Sequence, residues 1–237
     1  MITSDLNVDL CNIPTVDEIT RVIFYMQDLK ALGPDGLPPL FYKKFWPTAS
    51  SNVISAVQDF FVKGTMLKEL NSTFIVLIPK TQNPTSVNHY RPISLCNVVY
   101  KAITKILVNK LRPVLDNIIS PCQSTFVPGK WIGENQIIVK ELMHSFKTRK
   151  VKGGFVAIKV DLQKAYDRIN WGFLELVLSQ LGFSPTFVNW ILQCVSTVST
   201  SVLVNGGRTE SFNPSRGLCQ GDPLSPYLFI LCQKVLS

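Results

Sequence analysis

The sequence predicts an α+β fold. Three observations carry that reading. Apolar residues recur at helical spacing in several separate stretches, a β-rich run from Phe74 to Ile78 is closed by Pro79, and a second, alternating run spans Phe155 to Val160.

Near the N-terminus, Thr15 with Glu18 three residues later forms a capping-box pattern. Ile19, Val22, Ile23, Met26 and Leu29 then share one face, so a helix is expected from about Val16 to Leu29. The turn Gly33-Pro34-Asp35-Gly36 is followed by two more expected helices, Pro38 to Phe45 and Ser51 to Val62, the second stopped by Gly64. Phe74 to Ile78 and Tyr90 to Leu95, separated by the polar loop Thr81 to Asn88, read as a two-strand ribbon. Asn97 can cap a helix to about Leu111, with Val99, Ile103, Ile106 and Leu107 inward and Lys101, Lys105 and Arg112 outward.

A helix over Asn135 to Phe146 leads to the basic cluster Lys147, Arg149, Lys150 and Lys152, and Gly153-Gly154 marks a subdomain boundary. Phe155 to Val160 reads as a strand, with Val156, Ile158 and Val160 on one face and Asp161 at its C-terminal end on the other. Trp171, Leu174, Leu178 and Leu181 mark a helix closed by Gly182, and Ser184-Pro185 opens the next one. Ser201 to Val204 and Arg208 to Phe212 form a hairpin around Asn205, Gly206 and Gly207, and Ser225-Pro226 starts a last helix.

With 46% hydrophobic and 17% charged residues in 237, the chain has material for a buried core in one domain or two closely packed subdomains. No apolar run approaches the roughly 18 residues that cross a bilayer, and the N-terminus lacks the pattern of a signal peptide, so a soluble, intracellular protein with no membrane partner is expected. Six scattered cysteines without a Cys-x-x-Cys pair read as reduced thiols. The net charge is +8, and Lys80 to Lys152 alone holds twelve basic residues against three acidic ones. A field so concentrated suits a polyanion, although a solvated basic face is an equally ready explanation on charge alone.

Three segments carry chemistry: LIPK with HYRPISL (Leu77 to Leu95), KVDLQKAYDRI (Lys159 to Ile169) and RGLCQGDPLSPYLF (Arg216 to Phe229). With their order and spacing, the chain from Gly33 onward resembles the reverse transcriptases of non-LTR retrotransposons, most closely those of the plant LINE type. The resemblance implies a right-hand polymerase architecture of fingers and partial palm: residues 1–72 as a helical extension, 73–154 as fingers and 155–237 as an incomplete palm without a thumb. It implies an RNA-directed DNA polymerase that adds deoxynucleotides to a primer on an RNA template with Mg²⁺. Work at chromosomal DNA suggests the nucleus.

By the same resemblance Asp161 is a catalytic, metal-binding carboxylate, helped by the backbone carbonyl of Leu162. Tyr166 packs under the incoming sugar and excludes a 2′-hydroxyl, while Lys80 and Arg91 reach the triphosphate. Gln220 and Gly221 form a loop near nucleotide and template, whereas Asp222 and Ser225 set a turn and cap the following helix, and Asp167 braces the fold. Lys101, Lys105, Arg112 and Arg216 are the expected nucleic-acid contacts.

Two departures stand out. No Asp-Asp pair occurs in the 237 residues, although the family's remaining catalytic aspartates lie in a Tyr/Phe-x-Asp-Asp hairpin, so a truncated, inactive polymerase fragment is expected. Cys219 stands where relatives carry a basic residue. The competing expectations are a noncatalytic nucleic-acid binder and an unstable product whose palm sheet exposes its edges.

Overall fold

A computed structural model describes residues 1–120, 123, 125–127, 129–148 and 155–236. Cys122, Arg149, Lys150, Lys152 and the expected Gly153-Gly154 boundary lie outside them. The described chain is mixed α and β, with helices packed around one four-stranded sheet.

Helix α1 (Ser4–Leu10), which the sequence pattern did not suggest, starts at Thr3, whose side chain accepts from the Leu6 amide. It is held by the chain's far half: Ile2 N donates to Leu181 O at 2.9 Å, Asn7 Nδ2 donates to Gly182 O at 2.7 Å, and Asn7 Oδ1 accepts from Ser184 N at 2.8 Å. Helix α2 (Val16–Tyr25) begins at Thr15, which caps the Glu18 amide as expected, and buries Ile19, Val22 and Ile23. It ends four residues early. Lys43 of α3 (Pro39–Lys44) donates to the Met26 carbonyl and pairs with Asp28, which turns the chain away and leaves Leu29 exposed. Helix α4 (Trp46–Lys63) is longer than its apolar pattern indicated and stops at Gly64, whose φ of +64° only glycine adopts readily.

Strands β1 (Ser72–Pro79) and β2 (Tyr90–Cys96) pair antiparallel as the expected ribbon, with Ile78 opposite Arg91. The ribbon is one side of a larger sheet of order β2-β1-β3-β4, in which β1 runs parallel to β3 (Ser199–Val204). The expected hairpin forms between β3 and the short β4 (Gly207–Arg208), turning at Asn205-Gly206 with φ of +49° and +79°. Asn71 ties the sheet to the helices: its buried Nδ2 donates to Cys194 O at 3.0 Å and to Thr197 Oγ1 at 2.9 Å.

Helix α5 (Val98–Ile118) runs seven residues past the expected end, through Pro113. Leu111, Val114, Leu115 and Ile118 continue its buried stripe, and their burial outweighs the lost amide of the proline. Asn97 precedes it without a side-chain cap. Instead it binds the Glu69 and Leu70 carbonyls and accepts from the Asp35 amide.

Helices α6 (Ile132–Thr148), α7 (Trp171–Gln180), α8 (Pro185–Ser196) and α9 (Ser225–Gln233) follow. One buried cluster extends from Ile2 to Cys232, with Trp190, Tyr100, Phe61 and Phe187 as its largest enclosed side chains.

The expected strand at Phe155 to Val160 is not formed. Val156, Ile158 and Val160 are 84%, 83% and 75% exposed, and the segment joins none of the four strands. A strand exists by its ladder of interstrand hydrogen bonds, and alternation alone supplies none. Asp161 therefore ends an unpaired segment rather than a strand.

Candidate functional site

The β1-β2 hairpin and the turn at Tyr166–Arg168 enclose a cleft of about 400 Å³. Lys80, Arg91, Tyr166 and Gln220 line it together, although Lys80 and Arg91 come from one end of the chain and Tyr166 and Gln220 from the other. Hairpin geometry explains the first two: Lys80 follows β1 directly, Arg91 opposes Ile78, and Lys80 N donates to His89 O at 2.7 Å. The Lys80 ammonium also donates to the Asn88 carbonyl at 3.2 Å. Both cations remain exposed at the cleft mouth.

Backbone hydrogen bonds fix the other wall. Leu218 N donates to Tyr166 O at 3.0 Å, Gly217 N donates to Ile169 O at 2.8 Å, and Trp171 Nε1 donates to Gly217 O at 2.8 Å. Gly217 has φ +97°, and a Cβ there would lie 3.3 Å from the Asp167 backbone. Asp167 thus belongs to the brace between the two segments while also lining the cleft.

The next residues reach the sheet. Ser94 N donates to Gln220 O at 2.7 Å, and Gly221, at φ +115°, brings its Cα so near β2 that a Cβ would meet Ser94 O at 3.0 Å. Gly221 therefore sets the loop's approach, and Gln220 presents itself to the cleft. The Tyr166 ring is half-buried on Phe229 of α9, and burial raises its phenol pKa. Lys164, at φ +52°, adds a third cation to the lining, and Asn88 and Gln163 add amides. These three were not singled out from the sequence, although Gln163 and Lys164 sit inside the KVDLQKAYDRI segment and the cleft-facing turn is what selects them.

Asp161 and Leu162 line a neighbouring cavity of about 300 Å³ with Arg168, Phe173, Phe229 and Cys232. The two cavities share Gln163 and Ala165, but not Tyr166 or Gln220, so Asp161 does not open into the cleft. With no strand beneath it, nothing in the sheet aims this exposed carboxylate. A Mg²⁺ takes six oxygens. Asp161 is the one carboxylate lining its cavity, and among the described residues no group of three or more His, Cys, Asp or Glu gathers anywhere. This donor set does not fit a two-metal centre.

Asp222 is wholly buried behind the loop. Its Oδ2 accepts from Leu224 N at 3.1 Å, Ser225 N at 3.1 Å and Ser225 Oγ at 3.2 Å, so it caps α9, while Oδ1 makes no well-aligned hydrogen bond. Burial pushes its pKa up to about 6, against the partial compensation of the Thr104 hydroxyl and of the bonds from Ser225 and Leu224.

The cations expected to contact nucleic acid are dispersed. Arg216 lines a small cavity of about 130 Å³ with Gly217, Cys219 and Gln220. Lys105 and Arg112 line another, of about 560 Å³, with Arg21 and Tyr25 of α2. Arg112 is also engaged with α9, since its Nε donates to Tyr227 Oη at 2.9 Å and its guanidinium lies 5.7 Å from that ring's centre. Lys101 reaches the Ala31 carbonyl at 3.4 Å, and burial lowers its pKa. Among the described residues, no helix is long and apolar enough to cross a membrane.

Comparison with known proteins identifies the family to which the segments around this cleft belong. Residues 78–237 match the family model described as reverse transcriptase (RNA-dependent DNA polymerase). The chain is 30% identical over 217 residues to the transposon TX1 uncharacterized 149 kDa protein of Xenopus laevis, covering 92% of this chain and 16% of that one. It is 30% identical over 200 residues to the Pol polyprotein of the type-2 retrotransposable element R2DM of Drosophila melanogaster, covering 84% of this chain and 18% of the relative. Similarity at 23% identity extends over 216 residues to the RNA-directed DNA polymerase of the mobile element jockey, also of Drosophila melanogaster, covering 91% of this chain and 24% of that protein. The chain thus spans less than a quarter of each of these relatives. Matched over most of its length, and carrying the three segments that surround the cleft, the chain belongs to the reverse transcriptase family, with the enzymes of non-LTR retrotransposons as its relatives.

Proposed function

We propose that the cleft is the deoxynucleoside triphosphate site of an RNA-directed DNA polymerase, and that this chain binds nucleotide but does not by itself extend a primer. The observation that carries the reading is the convergence of Lys80, Arg91, Tyr166 and Gln220 on one cavity. Lys80, Arg91 and Lys164 offer positive charge to a triphosphate, the Arg91 guanidinium in paired bonds and the ammonium groups as point charges. Tyr166, backed by Phe229, offers a fixed ring against the sugar. In this assignment β1 and β2 belong to the fingers, the segments around Tyr166 and Gln220 to the palm, and residues 1–72 to an extension packed on both.

Family chemistry uses divalent metal, which neutralises triphosphate charge and activates the primer hydroxyl. Asp161 and the Leu162 carbonyl would give it two oxygen donors. That is too few for the two-metal reaction, and catalysis by the chain alone is expected to be negligible.

Titration with a fluorescent deoxynucleoside triphosphate tests the site. Arg91→Ala should weaken binding about tenfold or more, the loss expected when a charged hydrogen-bonding pair is removed. Equal affinity of wild type and variant would contradict the assignment. Primer extension that vanishes in Asp161→Ala would contradict the proposed inactivity.

A second reading, a noncatalytic nucleic-acid binder, is favoured by Arg21, Lys105 and Arg112 meeting beside Tyr25. Cations interleaved with an exposed ring suit a phosphate backbone with stacked bases. Binding of an RNA–DNA hybrid should then fall steeply with salt and weaken in Arg21→Ala, and affinity flat between low and physiological salt would exclude it.

A further inference from the structure

The Gln220 loop carries a feature that nucleotide binding does not use. Cys219 stands directly before Gln220, and its side chain is a neighbour of Ser94 and of Cys96, the last residue of β2. Backbone contacts already hold these segments together, through the 2.7 Å bond from Ser94 N to Gln220 O and the close approach of Gly221 to Ser94. The two thiols differ in environment. Cys96 is fully enclosed and accepts from Thr73 Oγ1 at 3.4 Å, whereas Cys219 is partly exposed and lines the small cavity shared with Arg216 and Ser94. Interaction with Cys96 lowers the Cys219 pKa, while that same interaction and burial raise the Cys96 pKa. One sulfur is thus suited to be the attacking thiolate and the other to stay protonated beside it.

We propose that Cys96 and Cys219 form a peroxide-sensitive thiol pair that closes to an intramolecular disulfide and fastens the Gln220 loop to β2. A cavity of about 130 Å³ admits hydrogen peroxide to Cys219. The Cys219 thiolate attacks one peroxide oxygen, the O–O bond breaks, and the departing hydroxide takes up the proton that Cys219 had released, forming water. This leaves a sulfenic acid on Cys219. The Cys96 sulfur then attacks the Cys219 sulfur, the S–O bond breaks, and the leaving hydroxide takes the Cys96 proton to form a second water. Two thiols are oxidised by two electrons and one peroxide is reduced to two waters.

The pair leaves the Lys80 and Arg91 hairpin tip untouched, so the proposal does not depend on nucleotide binding. The test uses the full chain, reduced, freed of reductant and exposed to hydrogen peroxide. Free thiols are then alkylated in denaturant, and the protein is digested without reductant for mass spectrometry. A cross-linked pair of peptides joining Cys96 to Cys219 is expected, with Cys194 and Cys232 alkylated and the cross-link reversed by dithiothreitol. Peroxide should also raise the melting temperature of wild type but not of Cys219→Ser. Recovery of Cys219 as sulfinic acid beside an alkylated Cys96, a Cys219 cross-link to any other cysteine, or two unmodified thiols would each overturn the proposal.

Discussion

The Tyr166 ring lies on that of Phe229 with centroids 5.0 Å apart and planes at 14°. This stacking joins a cleft residue to α9, the helix that Asp222 caps, so the position of the ring depends on the loop and helix behind it. A ring held this way can discriminate by shape. Tyr166→Val should relax discrimination against ribonucleoside triphosphates by about tenfold in competition binding, and Tyr166→Phe should leave it nearly unchanged. Identical discrimination in all three proteins would remove the tyrosine from the sugar site.

Gly217 is required by its backbone. At φ +97°, with the Asp167 backbone 3.3 Å from any added Cβ, Gly217→Ala combines an unfavourable conformation with crowding of the brace between the Tyr166 and Gln220 segments. Urea unfolding should show a loss of about 1–3 kcal/mol. Nucleotide affinity should fall with it, because the donor to Ile169 O lies on the residue that moves. A fully stable variant would show that the contact relaxes without cost.

Asp222 makes stability depend on pH. Its folded pKa of about 6 lies above the ordinary value of 3.8, so between them the folded state holds a proton that the unfolded state releases. This contribution is fully present below about pH 4 and is lost as pH rises through about 6, with ionisation costing about 3 kcal/mol at neutral pH. Asp222→Asn retains an oxygen acceptor for the Leu224 and Ser225 amides without the charge. It should lose the slope of one proton between pH 4 and 6, and its melting temperature should gain on wild type as pH rises. Parallel melting curves would contradict the shift.

Much of the fold was legible because its signals are local. Thr15, Ser184 and Gly64 mark the helix ends they were expected to mark, and the runs at Phe74 and Tyr90 pair as a ribbon. Misreadings arose where tertiary contacts override local pattern. Lys43 ends α2 early, burial of Val114 and Ile118 carries α5 through Pro113, and the parallel pairing of β1 with β3 joins residues more than a hundred positions apart. Phe155 to Val160 shows the reverse case, since its alternation is real but no strand answers it.

The candidate site divides along the same line. Lys80, Arg91, Tyr166 and Gln220 converge because hydrogen bonds from Ser94 N to Gln220 O and from Leu218 N to Tyr166 O close the distance between their segments. Asp161 depended on a strand to aim it and opens into the neighbouring cavity instead. Cys219 was visible only as a departure from the family pattern, and its partner Cys96 could be found only through the fold.

The most direct test of the proposed nucleotide site is to map where a photoreactive deoxynucleoside triphosphate attaches. Irradiation of the complex, digestion and mass spectrometry should place the label on peptides containing Asn88 to Pro92 or Gln163 to Asp167, and excess unlabelled deoxynucleotide should suppress it. Label confined to the cavity of Arg21, Lys105 and Arg112, or spread over the surface without competition, would contradict the account.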